Sequence, residues 1–243
     1  MRQDKLTTQV VNTIAIVAAG AFASHVLWRV FSPNPSDIAK TITVKIDGAN
    51  TGSGVIIEHQ GDRYRVLSNW HVVSSGEQPI APKSLTIETV DGQKHPISAK
   101  TIVKVGKLDL AILEFQSRHR YETASIGNSD KLRAGESLYV SGWADPSPQL
   151  VTRTYQLLVG NLSGRIEQPQ SGYALIYTVS ALPGMSGGPV LDRWGHLVGI
   201  NGRATVDLRT GTVNSVLGID INRYRRAIGD LPGAGDELFG KIE

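Results

Sequence analysis

The chain has 243 residues, 40% of them apolar, with 26 glycines and 11 prolines, which is the composition of a turn-rich globular protein and excludes a disordered or fibrous one. Its formal charge of +3 comes from 25 basic and 22 acidic residues that are interspersed, with no basic stripe interleaved with aromatics, so nucleic acid is not an expected partner. Cysteine is absent; disulfides, thiolate nucleophiles and thiolate metal sites are excluded together, while the compartment stays open because a domain of this size can bury a sufficient core without covalent staples.

Residues 1–36 form the first expected unit. Arg2 and Lys5 precede an uncharged run from Leu6 to Trp28, long enough to contact lipid or a translocon as a hydrophobic helix. Two outcomes stay open: a signal peptide cleaved after the small residues Ala21 and Ala23, or an uncleaved membrane anchor. Either one places the rest of the chain outside the cytoplasm, in a periplasmic, extracellular or membrane-anchored location. The segment SPNPSD reads as a short tether, with the domain boundary near Ile38.

The pattern then changes to short β-branched and apolar runs separated by Gly, Asp and Asn. KTITVKID, GSGVIIEH, RYRVLSNWHVV, SLTIETVDG, HPISAKTIVKV and LDLAILEF read as the strands of one unit over residues 37–130, because their period is two or their burial is complete. GESLYVSGW, RTYQLLVGNLSG, ALIYTVS, GGPVLD, HLVGINGRA and VNSVLGIDI form a second unit over 131–230, closed by a helix at NRYRRAIGD and followed by a tail at 231–243. No helical run separates the strands, which disfavours a parallel sheet. The expectation is an all-β protein of two barrels with a C-terminal helix.

The sharpest chemical signal is Pro183-Gly184-Met185-Ser186-Gly187-Gly188-Pro189. A serine flanked by glycines sits on a tight turn that exposes its hydroxyl and lets backbone N–H groups converge on one point, as acyl transfer requires. By itself the segment also fits a glycine-rich turn or the nucleophile elbow of an α/β-hydrolase. The elbow fails, since the only histidine after Ser186 is His196, too near to leave room for the acid and the elements between. Upstream, His71 lies in Leu67-Ser68-Asn69-Trp70-His71-Val72-Val73 and Asp109 opens Asp109-Leu110-Ala111-Ile112-Leu113. Both stand at the rim of an apolar strand, where a side chain is fixed by packing and still reaches a cleft. His25, His59, His95, His119 and His196 lack the spacing of a zinc site, and neither metal nor organic cofactor is expected.

The motifs S-N-W-H-V-V, D-L-A-I-L and G-M-S-G-G-P-V, in the order His, Asp, Ser, resemble the triad of trypsin-like serine peptidases. Gly52-Ser53-Gly54-Val55-Ile56-Ile57 and Leu197-Val198-Gly199-Ile200-Asn201 narrow the resemblance to the bacterial HtrA-like branch. The resemblance implies the chymotrypsin-like fold: two antiparallel six-stranded barrels with a cleft between them, the first carrying His71 and Asp109 and the second Ser186. It further implies endopeptidase activity on protein or peptide substrates, with the N–H groups of Gly184 and Ser186 as the oxyanion hole. The substrate pocket would lie among Ser180, Val198, Gly199, Ile200 and Asn201, the strand 198–202 pairing with substrate backbone.

Three departures from the family pattern matter. Met185 stands where digestive members carry the acid that receives a freshly cut N-terminus, so the site is expected to form without that cleavage. No PDZ domain, which HtrA enzymes carry after the protease, is recognisable. Ser180 occupies the position where enzymes selective for Lys or Arg place an acid, which predicts a preference for a small or medium apolar residue. An esterase using the same triad and an inactive protease-fold binding protein are the alternatives; oligomeric state is not legible.

Overall fold

A computed structural model describes residues 34–229, apart from 49, 77, 80–84 and 207–212. The hydrophobic N-terminal run and the 231–243 tail lie outside the described residues. Among those described, no helix is long and apolar enough to cross a membrane.

The expected tether turns helical. Helix α1 (Pro35–Ile42) has proline at its start and Asp37 in its first turn, both suited to a helix N-terminus. It buries Ala39 and Ile42 against the strands that follow. The run KTITVKID thus divides, its first residues helical and its last the strand β1.

Nine strands belong to the first half: β1 (Thr43–Asp47), β2 (Thr51–Gln60), β3 (Arg63–Ser68), a small pair β4 (Ser74–Ser75) and β5 (Gln78–Pro79), then β6 (Thr86–Glu88), β7 (Lys94–Pro96), β8 (Val103–Lys104) and β9 (Ala111–Gln116). Seven of them make one sheet in the order β7-β6-β1-β2-β3-β9-β8. This corrects the expectation of a closed six-stranded first barrel. The run HPISAKTIVKV is broken by a 3₁₀ turn at Ala99–Thr101 into two strands of three and two residues, and these sit at opposite edges of the sheet. Edges that short offer too few ladder bonds to join each other.

The second half does close. The strands β10 (Ser137–Ala144), β11 (Thr154–Arg165), β12 (Tyr173–Tyr177), β13 (Pro189–Leu191), β14 (Leu197–Val206) and β15 (Val213–Asp220) form a barrel ordered β10-β11-β12-β15-β14-β13. All its pairings are antiparallel. Helix α3 (Ile221–Gly229) follows β15 as expected.

Three apolar clusters match this division. One fills the first sheet around Ile46, Tyr64, Val66 and Phe115, and another fills the second barrel around Leu138, Leu175, Tyr177 and Val190. The third joins the halves, combining Val55, Leu67 and Ile112 of the first with Tyr173, Ile200 and Ile219 of the second and with α1 and α3. Apolar burial stabilises at roughly 25 cal/mol per Å², so this shared core holds the two halves of the site in fixed register.

Candidate active site

His71 lies on a short helical turn, α2 (Trp70–Val73), instead of a strand end. Trp70, Val72 and Val73 are buried in the first core, which leaves the intervening His71 facing outward with its side chain 47% exposed. The turn is tied at both ends: Asn50 Nδ2 donates to the His71 carbonyl at 2.9 Å, and Asn69 Nδ2 donates to the Asp109 carbonyl at 2.9 Å.

Asp109 precedes β9 and meets His71 through both carboxylate oxygens. His71 Nδ1 is 2.8 Å from Oδ2, and the His71 backbone N–H donates to Oδ1 at 2.9 Å. Two contacts to one carboxylate fix ring orientation, and a carboxylate at Nδ1 favours the tautomer whose Nε2 is free to accept a proton. A third donor comes from the second barrel, as Tyr173 Oη donates to Oδ2 at 2.6 Å. Burial pushes the Asp109 carboxyl upward, but the hydrogen bonds from His71 and Tyr173 and the charge of His71 outweigh it and leave the pKa below its ordinary value. Burial, reinforced by Asp109, holds the Tyr173 phenol well above its ordinary value, so Tyr173 stays a donor.

Ser186 sits on the turn before β13. Its carbonyl accepts from Ser53 N–H of β2 at 2.7 Å, a bond that ties the serine loop to the sheet from which the His71 turn departs. Gly187 has φ +87°, and a Cβ there would lie 2.1 Å from the Ser53 carbonyl and 3.2 Å from Asn69 N; only glycine allows this approach. The Ser186 hydroxyl donates to the Gly202 carbonyl at 3.0 Å, and among the described residues it has no hydrogen bond to His71.

Gly184 takes φ +85°. Its carbonyl accepts from Ser53 Oγ at 2.9 Å and the Met185 N–H donates to Leu182 O at 3.2 Å, whereas the N–H groups of Gly184 and Ser186 have no acceptor among the described residues. Arg153 braces this loop from behind. With its side chain 11% exposed, it donates to the carbonyls of Ile46 at 2.8 Å, Gly52 at 2.8 Å and Trp143 at 3.0 Å, and to Asp47 Oδ1 at 2.5 Å, with a longer contact of 3.5 Å to Gly184 O. Its Nε lies 3.1 Å from Asp145 Oδ1 without the alignment of a hydrogen bond, so that contact is one of charge.

Of the residues assigned to the substrate pocket, Ser180 alone is exposed. Val198 and Ile200 belong to the cores, Gly199 is buried, and Asn201 is held by Tyr177 Oη at 2.8 Å and donates to Met185 O at 3.0 Å. Exposure on that strand begins at Arg203, Gly202 being half-buried; on the β13 side backbone pairing runs as far as Asn201, which is bonded to Gly187 and Gly188. A separate cavity of about 480 Å³, lined by Ile126, Trp194, His196 and Arg225 among others, includes no residue of the His71, Asp109 and Ser186 constellation.

Residues 52–200 match the family described as the trypsin-like peptidase domain, a span that contains His71, Asp109 and Ser186. The chain belongs to that family. It is 31% identical over 159 residues to the serine protease Do-like HtrA of Bacillus subtilis, covering 63% of this chain and 33% of the relative. It is 30% identical over 156 residues to a probable periplasmic serine endoprotease, DegP-like, of Pseudomonas fulva, covering 64% of this chain and 29% of the relative. The chain therefore spans about a third of the length of these curated relatives. In fold it is similar to the HtrA-type protease AlgW with tripeptide, with a TM-score of 0.60 at 22% identity, covering 80% of this chain and 62% of that one.

Two residues at the site, Tyr173 and Arg153, escape sequence reasoning. Arg153 is the first residue of the strand run RTYQLLVGNLSG and Tyr173 stands just before the run ALIYTVS, so neither position carries a chemical signal. The local signal is the pair of glycines, Gly199 and Gly202, inside HLVGINGRA, since a glycine within a strand marks a bulge or a close approach.

Proposed function

We propose that this chain is a serine endopeptidase in which Ser186 is the nucleophile, His71 the general base and Asp109 the residue that orients it. The observation that carries this reading is the two-point contact of His71 with Asp109, through Nδ1 and the backbone N–H. A serine hydroxyl is a poor nucleophile at its own pKa, so His71 Nε2 takes its proton as Oγ attacks the scissile carbonyl. The same imidazolium then protonates the leaving amine, the acyl-enzyme forms, and water repeats the sequence to release the acid. Asp109 stabilises the cation without itself taking the proton.

The free N–H groups of Gly184 and Ser186 are the oxyanion donors, each worth about 3 kcal/mol in the transition state. Before substrate binds, the Ser186 hydroxyl rests on the Gly202 carbonyl; rotation about its Cα–Cβ bond turns it toward His71. Past Gly202, the edge of β14 that faces away from β15 is not paired by β13 and offers a peptide backbone a partner of the added-strand kind, which favours an extended polypeptide over a small ester. Relatives named periplasmic support an exported location.

The resting bond of Ser186 to Gly202 also fits an inactive binding protein, and turnover separates the two readings. Unfolded protein and a matched set of peptide and ester substrates are incubated with the wild type, Ser186→Ala and His71→Ala. Peptide cleavage lost in both variants supports the proposal; a folded wild type that cleaves esters alone, or nothing, overturns it.

A further inference from the structure

We propose that the turn 171–173 of the second barrel positions the catalytic acid of the first, with Tyr173 the positioning residue and Gly202 the gap that admits it. This rests on the triad reading above. Two residues of the turn bond Asp109, and the glycine between them packs on its neighbour Leu108. The Asp109 N–H donates to the Ser171 carbonyl at 3.0 Å, a Cβ on Gly172 would lie 2.7 Å from Leu108 Cδ2, and Tyr173 Oη donates to Asp109 Oδ2 at 2.6 Å. The turn is not in a relaxed conformation, since Ser171 has φ 51°, a left-handed region that non-glycine residues avoid and that functional sites hold under constraint.

Gly202 makes the arrangement possible. It is the unpaired residue at a bulge, where the β14–β15 register skips from Asn201 to Arg203. A Cβ at Gly202 would lie 2.6 Å from Tyr173 Oη, 2.7 Å from Tyr173 Cε1 and 2.8 Å from Asn69 Oδ1. Any larger residue there therefore competes with the phenol for one space. Arg203 places its guanidinium 4.7 Å from the centre of the Tyr173 ring, and the ring is 2% exposed in the shared core. The hydroxyl is thus delivered by a side chain with no freedom to move away.

The chemical consequence concerns orientation. His71 supplies a donor to each carboxylate oxygen of Asp109, but both donors come from the residue that Asp109 must orient. Tyr173 is the donor outside that pair, anchored in the other barrel, so it fixes the carboxylate plane independently of the imidazole. The His71–Asp109 pair is then in working geometry only when the two halves are docked.

The test compares the wild type with Tyr173→Phe, Gly202→Ala and the double variant. Two readouts are taken: the solvent-exchange rate of the His71 Nδ1 proton, by NMR on protein with ¹⁵N-labelled histidine, and kcat and KM on a fluorogenic peptide. Tyr173→Phe should speed proton exchange several-fold and lower kcat about tenfold, with KM within twofold. Gly202→Ala should speed exchange likewise by displacing the phenol, and in the double variant exchange should be no faster than in Gly202→Ala alone, because both substitutions break one contact; KM is compared only between the wild type and Tyr173→Phe, since Gly202 borders the proposed substrate edge. Variants that lower the melting temperature but leave exchange and kcat unchanged would reduce Tyr173 to packing and overturn the proposal. So would effects of the two substitutions that multiply. A wild type that cleaves no peptide overturns the protease reading instead, and the exchange rates still decide the role of Tyr173.

Discussion

Arg153→Met removes the cation behind the Gly184 loop while keeping an unbranched side chain. Arg153 serves three carbonyls and Asp47 at 3.0 Å or less, and truncating one partner of a buried ionic network costs about 3–5 kcal/mol. The side chains of Asp47 and Asp145 are 35% and 25% exposed and can recover water, so the lower end applies, about 3 kcal/mol. For a domain of this size that lowers Tm by roughly 6–12 °C. The catalytic effect is smaller than the roughly 10²–10³-fold cost of deleting an oxyanion donor, because Ser53 Oγ still holds the Gly184 carbonyl at 2.9 Å and the Arg153 contact there is the longer one at 3.5 Å. A fall in kcat of about tenfold, at unchanged KM, is expected. The assay is a thermal melt followed by peptide kinetics well below the lowered Tm. A variant that melts lower but keeps wild-type kcat would show that Arg153 secures the β1–β2 hairpin only; unchanged Tm and kcat together would refute the brace altogether.

Asp109→Asn should lower kcat by about 10⁴-fold while folding is retained, as expected when an orienting carboxylate becomes an amide; peptide kinetics and a far-UV spectrum check both halves. The pH dependence has a definite sign. The folded pKa of Asp109 is depressed below 3.8, so its contribution to stability is fully present above that value and is lost as the pH falls through the lower folded value; urea midpoints measured from pH 5 downward should fall less steeply in Asp109→Asn. Gly187→Ala forces a Cβ to within 2.1 Å of the Ser53 carbonyl and 2.3 Å of Ser68 Oγ at φ +87°. It should destabilise by at least about 3 kcal/mol, and a denaturation midpoint equal to that of the wild type would contradict the close approach of the serine loop to β2.

The three motifs of the proposed triad stand out in the sequence because each sets a chemically able residue in a local pattern: apolar residues around His71 and after Asp109, glycines around Ser186. Local patterns also gave the six strands of the second barrel and its closing helix. What they could not give are contacts between segments distant in sequence. Tyr173 reaches an acid 64 residues away and Arg153 reaches carbonyls about a hundred away, and neither residue stands in a distinctive neighbourhood. Helix α1 was missed for a different reason, since the β-branched residues of KTITVKID outweigh the start signal of Pro35 and Asp37. Closure of the first sheet, expected because HPISAKTIVKV has strand composition throughout, fails where the Ala99–Thr101 turn divides that run.

Whether Ser186 is an activated nucleophile is tested most directly by intact mass spectrometry of the full chain after exposure to a fluorophosphonate, with peptide mapping of the adduct. One phosphonyl group per chain is expected, on Ser186, absent from both Ser186→Ala and His71→Ala. A folded wild type that stays unmodified, or an adduct on another residue, would contradict it.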